Sequence, residues 1–440
     1  MHLQGTMQVD AGGRLTIGGC DVVELAREFG TPLYIFDEEC IRANCREFYR
    51  AFGVKEGRGK VIYAGKAFLT TAMGRIIASE GLGLDVVSGG ELYTALTAGF
   101  PADAIYFHGN NKSYTELCQA LEAGTGRFVV DNFAELELLS RLAGERGQVA
   151  RVMLRVTPGI EAHTHDYIRT GQIDSKFGFT LPNGQALAAA QRVQELPGLE
   201  FKGLHCHIGS QIFELEPYEE AVDVMLELAA SIKAATGLTT AELDLGGGFG
   251  IYYTDADHPL PVSAYAETIF ARVKEKTQVL NLSPPLVLVE PGRAIVGPAG
   301  STAYTVGSIK EIPDVRKYVA VDGGMADNIR PALYGAQYEA LLAARAHLPA
   351  VETVAVTGKC CESGDMLIWE AALPRVEAGD ILVISCTGAY GYTMASNYNR
   401  LGRPAAVLVR DGSADLILKR EDYSDLIRND VLPARLTCPR

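Results

Sequence analysis

Several things are missing from this chain, and each absence narrows what it does. No apolar run reaches the ~18–20 residues that a membrane-crossing helix needs, and Met1 to Arg14 lacks the basic-then-apolar pattern of a secretory leader. Together these predict a cytoplasmic protein without membrane contact. Positive charge is not in excess: 40 Lys and Arg stand against 54 Asp and Glu, a net of −14, which argues against a nucleic-acid partner. No CxxC pair occurs, and the nine cysteines spread over 440 residues have neither the spacing of a zinc site nor the density of a disulfide scaffold. No internal repeat, charge block or Pro/Ser-rich linker divides the chain.

What is present is ordinary globular composition, 48% hydrophobic and 21% charged, over a length that exceeds what one hydrophobic core usually organises. Two domains are expected. Eight short apolar runs end in turn residues: Val61–Ala64, Leu84–Val87, Ala104–Phe107, Phe128–Val130, Val152–Val156, Gly203–His207, Glu242–Leu245 and Leu286–Val289. Helical spacing fills the gaps between them, as in Leu69–Ser79, Glu91–Ala98, Tyr114–Ala123, Ala134–Leu142, Gln185–Gln194, Tyr218–Ala235 and Ala264–Lys276. Such alternation predicts an α/β fold, a (β/α)8 TIM barrel.

After Arg293 the texture changes to closely spaced strands with few helices, from Tyr304–Ser308 to Leu416–Leu418. This predicts an antiparallel β-domain, a barrel or sandwich. Leu15–Ile17 and Pro32–Phe36 are also strand-like and precede the first barrel run, so they are assigned to that same domain. The expected division is a barrel over residues 37–298 and a discontinuous β-domain from residues 1–36 and 299–440.

In such a barrel the chemistry sits at the C-terminal ends of the strands, and polar and glycine residues gather there. Lys66 follows the first run. A lysine in an apolar barrel mouth pays for desolvation as an ammonium, which favours an imine with an aldehyde; the alternative is a lysine snorkelling to solvent. Gly246–Gly250 follows the seventh run, where TIM barrels commonly cradle phosphate, and its glycines let an anion approach backbone N–H groups. A dinucleotide register fails, because Ile251 stands where a further glycine is needed.

A lysine plus a phosphate cradle suggests pyridoxal phosphate, which needs an anion at its pyridine nitrogen to act as an electron sink. Glu290, closing the eighth run, is the candidate, the alternative being a surface pair with Arg293. His207 is a candidate to stack on the ring, and Ser210 to add a hydroxyl to the phosphate. A metal hydrolase is the competing class, since His205-x-His207 and His163-x-His165 have the spacing of zinc ligands. That class generally starts with a histidine pair on the first strand, where this chain has Gly65-Lys66, so no metal is expected.

These motifs in this order resemble the alanine-racemase-like, fold-type III pyridoxal-phosphate decarboxylases. The matching segments are Tyr63–Ala67, Asp85–Leu92, His108–Ser113, His205–Gln211, Gly246–Gly250, Glu290–Arg293, Ile329–Tyr334, Cys361–Asp365 and Gly388–Tyr390. The resemblance spans about Thr31 to Leu426. It implies that Lys66 holds the cofactor covalently, that His207 stacks on it, and that Ser210, Gly247 and Gly248 bind its phosphate. Glu290 would pair with the pyridinium, with Gly292, Arg293 and Tyr390 beside the cofactor. It further implies that Arg293, Arg330 and Tyr334 hold a distal substrate carboxylate, with Glu362 on the distal ammonium and Tyr390 nearby. Cys361 would donate the proton to Cα; Cys360 precedes it, so that role could shift by one residue.

Two features point within the family to meso-diaminopimelate, decarboxylated at its D-centre to L-lysine, rather than ornithine or arginine. The run His163–Gly171 followed by Asp174–Gly178 resembles the lid of the diaminopimelate-specific branch, and a loop this long is uncommon unless functional. A substrate with a distal carboxylate and a distal amine also needs both a cation and an anion, which Arg330 and Glu362 would supply. Action on D-lysine or D-ornithine is the alternative within the family, and a non-catalytic cofactor carrier on the same barrel would leave Arg330, Glu362 and Tyr390 unexplained. The resemblance also implies a homodimer in which Cys361 and Glu362 reach the partner's active site.

Overall fold

A computed structural model describes residues 2–160 and 175–436. The lid-like run His163–Asp174, including His163-x-His165, therefore lies outside the described residues. The chain forms two compact units, Cys40–Gly297 and a discontinuous one made of Met1–Glu39 with Pro298–Arg440.

The first unit is a closed barrel of eight parallel strands: β1 Gly59–Ala64, β2 Gly83–Val86, β3 Ile105–Phe107, β4 Arg127–Val130, β5 Ala150–Thr157, β6 Leu199–His205, β7 Glu242–Asp244 and β8 Leu286–Val289. Each pairs with its successor, and β8 returns to β1 through Val287 opposite Gly59. Strands covered on both faces read as unbroken apolar runs, and β2 is buried along its whole length. Ile62, Tyr106, Val129, Met153 and Leu288 pack as a buried cluster with members from β1, β3, β4, β5 and β8, so the interior is a core and not a pore. Gly203 is required on β6, since a Cβ there would stand 1.8 Å from the Glu242 carbonyl oxygen.

Four of the helices start by the same device. Thr70, Ser88, Ser113 and Asn132 each cap the helix after β1, β2, β3 or β4, accepting from the backbone N–H three residues on. Such caps satisfy amides that a helix leaves unpaired and fix where each loop at the barrel mouth ends. The last alternation is incomplete: β8 is followed only by the short helix Arg293–Val296, after which the chain passes into the other unit. A helix not expected from the sequence, Glu38–Ala51, precedes β1, and its Asn44 amide donates to the Ile295 carbonyl at 2.9 Å.

In the second unit, Leu33–Asp37 lies in a sheet between Gly300–Ile312 and Ala405–Arg410. Its core joins both ends of the sequence: Leu15, Ile17, Val22, Leu33 and Ile35 pack with Ala303, Val383, Val407 and Val409. The expected antiparallel sheet is present, with two parallel pairs inside it. Leu33–Asp37 runs parallel to Ala405–Arg410, and Arg316–Val321 parallel to Glu352–Thr357. Neither pair is joined by a hairpin; long connections leave strand direction free.

Candidate active site

The barrel strands lead into charged or histidine side chains at one rim. Lys66 sits in the turn Gly65–Ala67 after β1, and its Nζ lies 4.0 Å from Asp85 Oδ2 of β2. His108 follows β3, and its Nε2 is 3.8 Å from Asp85 Oδ1 and 2.8 Å from Glu290 Oε1. His205, closing β6, brings Nε2 to 3.4 Å from Glu290 Oε2. Arg155 of β5 lies 3.8 Å from Asp131 and 4.2 Å over the Phe177 ring. Asp244 closes β7 and accepts from the Gly246 N–H at 2.9 Å.

What faces Lys66 is thus a carboxylate and not the apolar wall expected from the sequence, so ion pairing replaces desolvation as the argument for its placement. Glu290 is buried among histidines and does not pair with Arg293, which instead donates to Ser210 Oγ at 2.8 Å and Tyr253 Oη at 2.7 Å. Arg293 and Ser210, two of the expected cofactor ligands, are therefore side by side.

His207 lies just beyond the end of β6, and its Nδ1 accepts from the Gly247 N–H at 3.2 Å. Burial, with Lys66 and Arg155 nearby, holds its imidazole well below the usual histidine range. The ring is neutral, with its proton on Nε2. Because the Gly246 and Gly247 amides are spent on Asp244 and His207, and those of Gly250 and Ile251 on the Ile212 carbonyl and the Gln211 side chain, an anion at this loop must be met by the Gly248 and Phe249 amides. Gly248 has φ 107°, and a Cβ there would stand 2.9 Å from the Gly209 carbonyl oxygen. Gly292 is held equally closely, with a Cβ position 2.9 Å from that of Ala64 in β1.

Among the described residues, the group whose ligand atoms converge is His108, His205 and Glu290, within 4.8 Å of one another. His207 is not in it.

The residues expected from the second unit fall into two environments. Arg330, at the start of a short helix, is buried and donates to Tyr338 Oη. Tyr334 ends that helix, partly buried. Cys361 and Glu362 are exposed on a loop pinned by Asp365, whose carboxylate accepts from the Cys360 and Met325 amides at 2.7 and 2.6 Å. Burial and Asp365 push the Cys360 thiol up to about 11, so it stays protonated. Tyr390 is partly buried with φ 60°, a strained conformation for a residue with a side chain.

Asp85, His108, Asp131, Asp244 and Tyr253 received no role from the sequence. Asp85 and Asp244 stand inside runs read as buried strands, and a carboxylate in such a run is itself a signal, because burial of an unpaired charge is costly.

The barrel mouth fits pyridoxal phosphate on its own geometry. Both Asp85 carboxyl oxygens are buried without a hydrogen-bond partner among the described residues, close to an amine. A glycine loop with no room for β-carbons adjoins Ser210 and Arg293, and a buried carboxylate lies between. Residues 38–297 match the family model for the pyridoxal-binding domain of pyridoxal-dependent decarboxylases. The chain is 52% identical to the diaminopimelate decarboxylase of Bacillus subtilis over 431 residues, covering 98% of each. It is also 52% identical to that of Bacillus methanolicus, covering 96% of this chain and 98% of the relative. Among solved structures, diaminopimelate decarboxylase from M. jannaschii in co-complex with L-lysine superposes with a TM-score of 0.92 at 37% identity, covering 99% of this chain and 100% of the other. Fold, mouth and relatives define a pyridoxal-phosphate-dependent decarboxylase of fold-type III. Within that class, the chain belongs to the diaminopimelate decarboxylase family.

Proposed function

We propose that the protein removes the carboxylate from the D-centre of meso-2,6-diaminopimelate, releasing carbon dioxide and L-lysine, as a cytoplasmic homodimer whose two active sites share residues. The observation that carries the reading is the mouth itself: Lys66, Glu290 and the Gly246–Gly250 loop converge on neighbouring strand ends of one barrel. The solved relative bound to L-lysine, the product of this reaction, supports the substrate. No described helix is long and apolar enough to cross a membrane.

When bound, pyridoxal phosphate supplies the electron sink that accepts the pair left when a bond to Cα breaks. In this reading the Lys66 amine would anchor it. Ser210, Arg293 and the Gly248 and Phe249 amides would hold its phosphate, with Gly247 fixing the neutral ring of His207, which would pack against it. Glu290 would hold a proton at its ring nitrogen. Arg293, Arg330 and Tyr334 orient the distal carboxylate and Glu362 the distal ammonium, with Gly292 and Tyr390 shaping the site. Arginine suits a carboxylate because its planar fork binds both oxygens. Cys361, exposed in one chain, delivers a proton to Cα in the partner's site.

The test is carbon dioxide release by purified protein with pyridoxal phosphate, offered meso-diaminopimelate beside L- and D-lysine, L- and D-ornithine and L-arginine. Release from diaminopimelate alone, with L-lysine formed, is expected. Release only from another amino acid would overturn the roles given to Arg330 and Glu362.

A further inference from the structure

We propose that His108 and His205 are positioning residues that select Glu290, out of three buried carboxyl groups, as the one that carries the negative charge, and aim it. The proposal rests on the reading of Glu290 as the anion facing the cofactor ring.

Asp85 lies in β2, Asp244 ends β7 and Glu290 follows β8, and they are 1%, 0% and 4% exposed. Three carboxylates cannot all be ionised in one buried space, since each desolvated charge raises the cost of the next. The histidines break the tie by geometry. His108 Nε2 stands 2.8 Å from one Glu290 oxygen and His205 Nε2 3.4 Å from the other. Their rings meet edge to face, centroids 4.9 Å apart, so each keeps the other in place. His205 meets Glu290 as a hydrogen bond and His108 stands against its other oxygen by close approach alone, outside hydrogen-bond geometry, whereas Asp85 is approached only at 3.8 Å by His108 and 4.0 Å by Lys66.

The electrostatics agree. Burial pushes Asp85 up and Asp244 well up, each with Glu290's charge adding to the effect. Glu290 is equally buried, yet His108 and His205 outweigh that penalty and hold it well below the carboxylate range. Burial lowers His205 to about 4, so it grips as a neutral N–H donor. Of the other groups at the mouth, Lys66 after β1 faces Asp85 and Arg155 of β5 faces Asp131, which follows β4, while the Asp244 side chain hydrogen-bonds Glu290 and so helps to hold the charge there, and burial with Asp85's charge pushes Glu91 up to about 7. A Glu290 that took up a proton could not hold one at a ring nitrogen, so loss of the grip would reach the reaction through Glu290.

The experiment follows the Glu290 carboxyl by carbon-13 NMR in the cofactor-free full chain, assigned with Glu290→Gln, for wild type, His108→Ala, His108→Gln and His205→Gln. In His108→Ala the carboxyl should stay protonated to higher pH, with His108→Gln, a neutral donor, between it and wild type. In the holoenzyme kcat should fall on the order of tenfold near neutral pH, with its acid limb moved upward and KM little changed. On a Glu290→Gln background, His108→Ala should cost little more. Unchanged Glu290 titration in folded His108 and His205 variants would overturn the proposal, as would a His108→Ala loss as large on the Glu290→Gln background as in the otherwise wild-type chain. Full activity of Glu290→Gln would instead sink the reading of Glu290 while the NMR still judged the grip.

Discussion

The barrel mouth and the Cys361–Glu362 loop are built on opposite principles. At the mouth, Asp85, His108, His205 and Glu290 are all at most 4% exposed, and each lies within 3.8 Å of a group carried at the end of another strand. On the loop the backbone is pinned through Asp365 while the side chains of Cys361 and Glu362 stand exposed. Burial makes charge interactions strong and one-directional, so the mouth sets its protonation states within a single chain. An exposed thiol has ordinary solvent around it. Its chemistry waits on whatever covers it, which in the proposed reading is the partner's active site.

The sharpest way to break this contrast is at Lys66. Lys66→Ala should leave the barrel folded but abolish covalent retention of cofactor, with turnover reduced by roughly a thousandfold or more. Borohydride reduction followed by peptide mass mapping reads it directly: a cofactor-sized mass increment should appear on the Lys66 peptide in wild type and vanish in the variant. An increment on another lysine would move the anchor.

Cys361→Ala should lower kcat by about a hundredfold, within the usual range for a positioned proton donor, while the cofactor stays bound. Cys360→Ala should leave turnover close to wild type, because that thiol is partly buried beside Asp365 whereas Cys361 is exposed. The reverse ranking would place the donor one residue earlier. Mixing Lys66→Ala with Cys361→Ala sharpens the point. If the loop serves the partner, subunit exchange creates dimers with one intact site, and activity should rise to roughly a quarter of wild type from two nearly inactive parents. No recovery after verified exchange would mean that each chain completes its own site.

Much of the barrel was legible because a parallel strand buried on both faces must read as a short apolar run, and glycine or a polar residue must follow where the chain turns at the mouth. Lys66, Glu290 and the glycine loop each stand at such an exit, which is why position alone singled them out. The helix Glu38–Ala51 was missed because charged residues interrupt it throughout, and its buried Cys40, Ile41, Cys45 and Phe48 leave only a thin apolar stripe. The grip on Glu290 was invisible for a different reason. His108 and His205 are 182 and 85 residues away from it in sequence, and closure of the barrel across β3, β6 and β8 brings them together. Pairings made by topology leave no local pattern to read.

The mildest expected effect concerns acid stability. Burial holds the His205 imidazole at about 4, against an ordinary 6.5, so between those values the unfolded chain takes up a proton that the folded chain refuses. The contribution is therefore fully present above about pH 6.5 and is lost as pH falls toward 4; it is at most about 3 kcal/mol. Glu290, held low by the histidines, loses stability in the same direction at lower pH, whereas Asp85 and Asp244, pushed up by burial, work the other way. Wild type alone cannot separate these contributions, but the difference between wild type and His205→Gln can. Denaturant melts from pH 7.5 to 4.5 should show the variant losing less stability on acidification than wild type. Parallel curves would mean that His205 is protonated in the folded protein, and the mouth would then resemble the solvent-exposed loop more than its burial indicates.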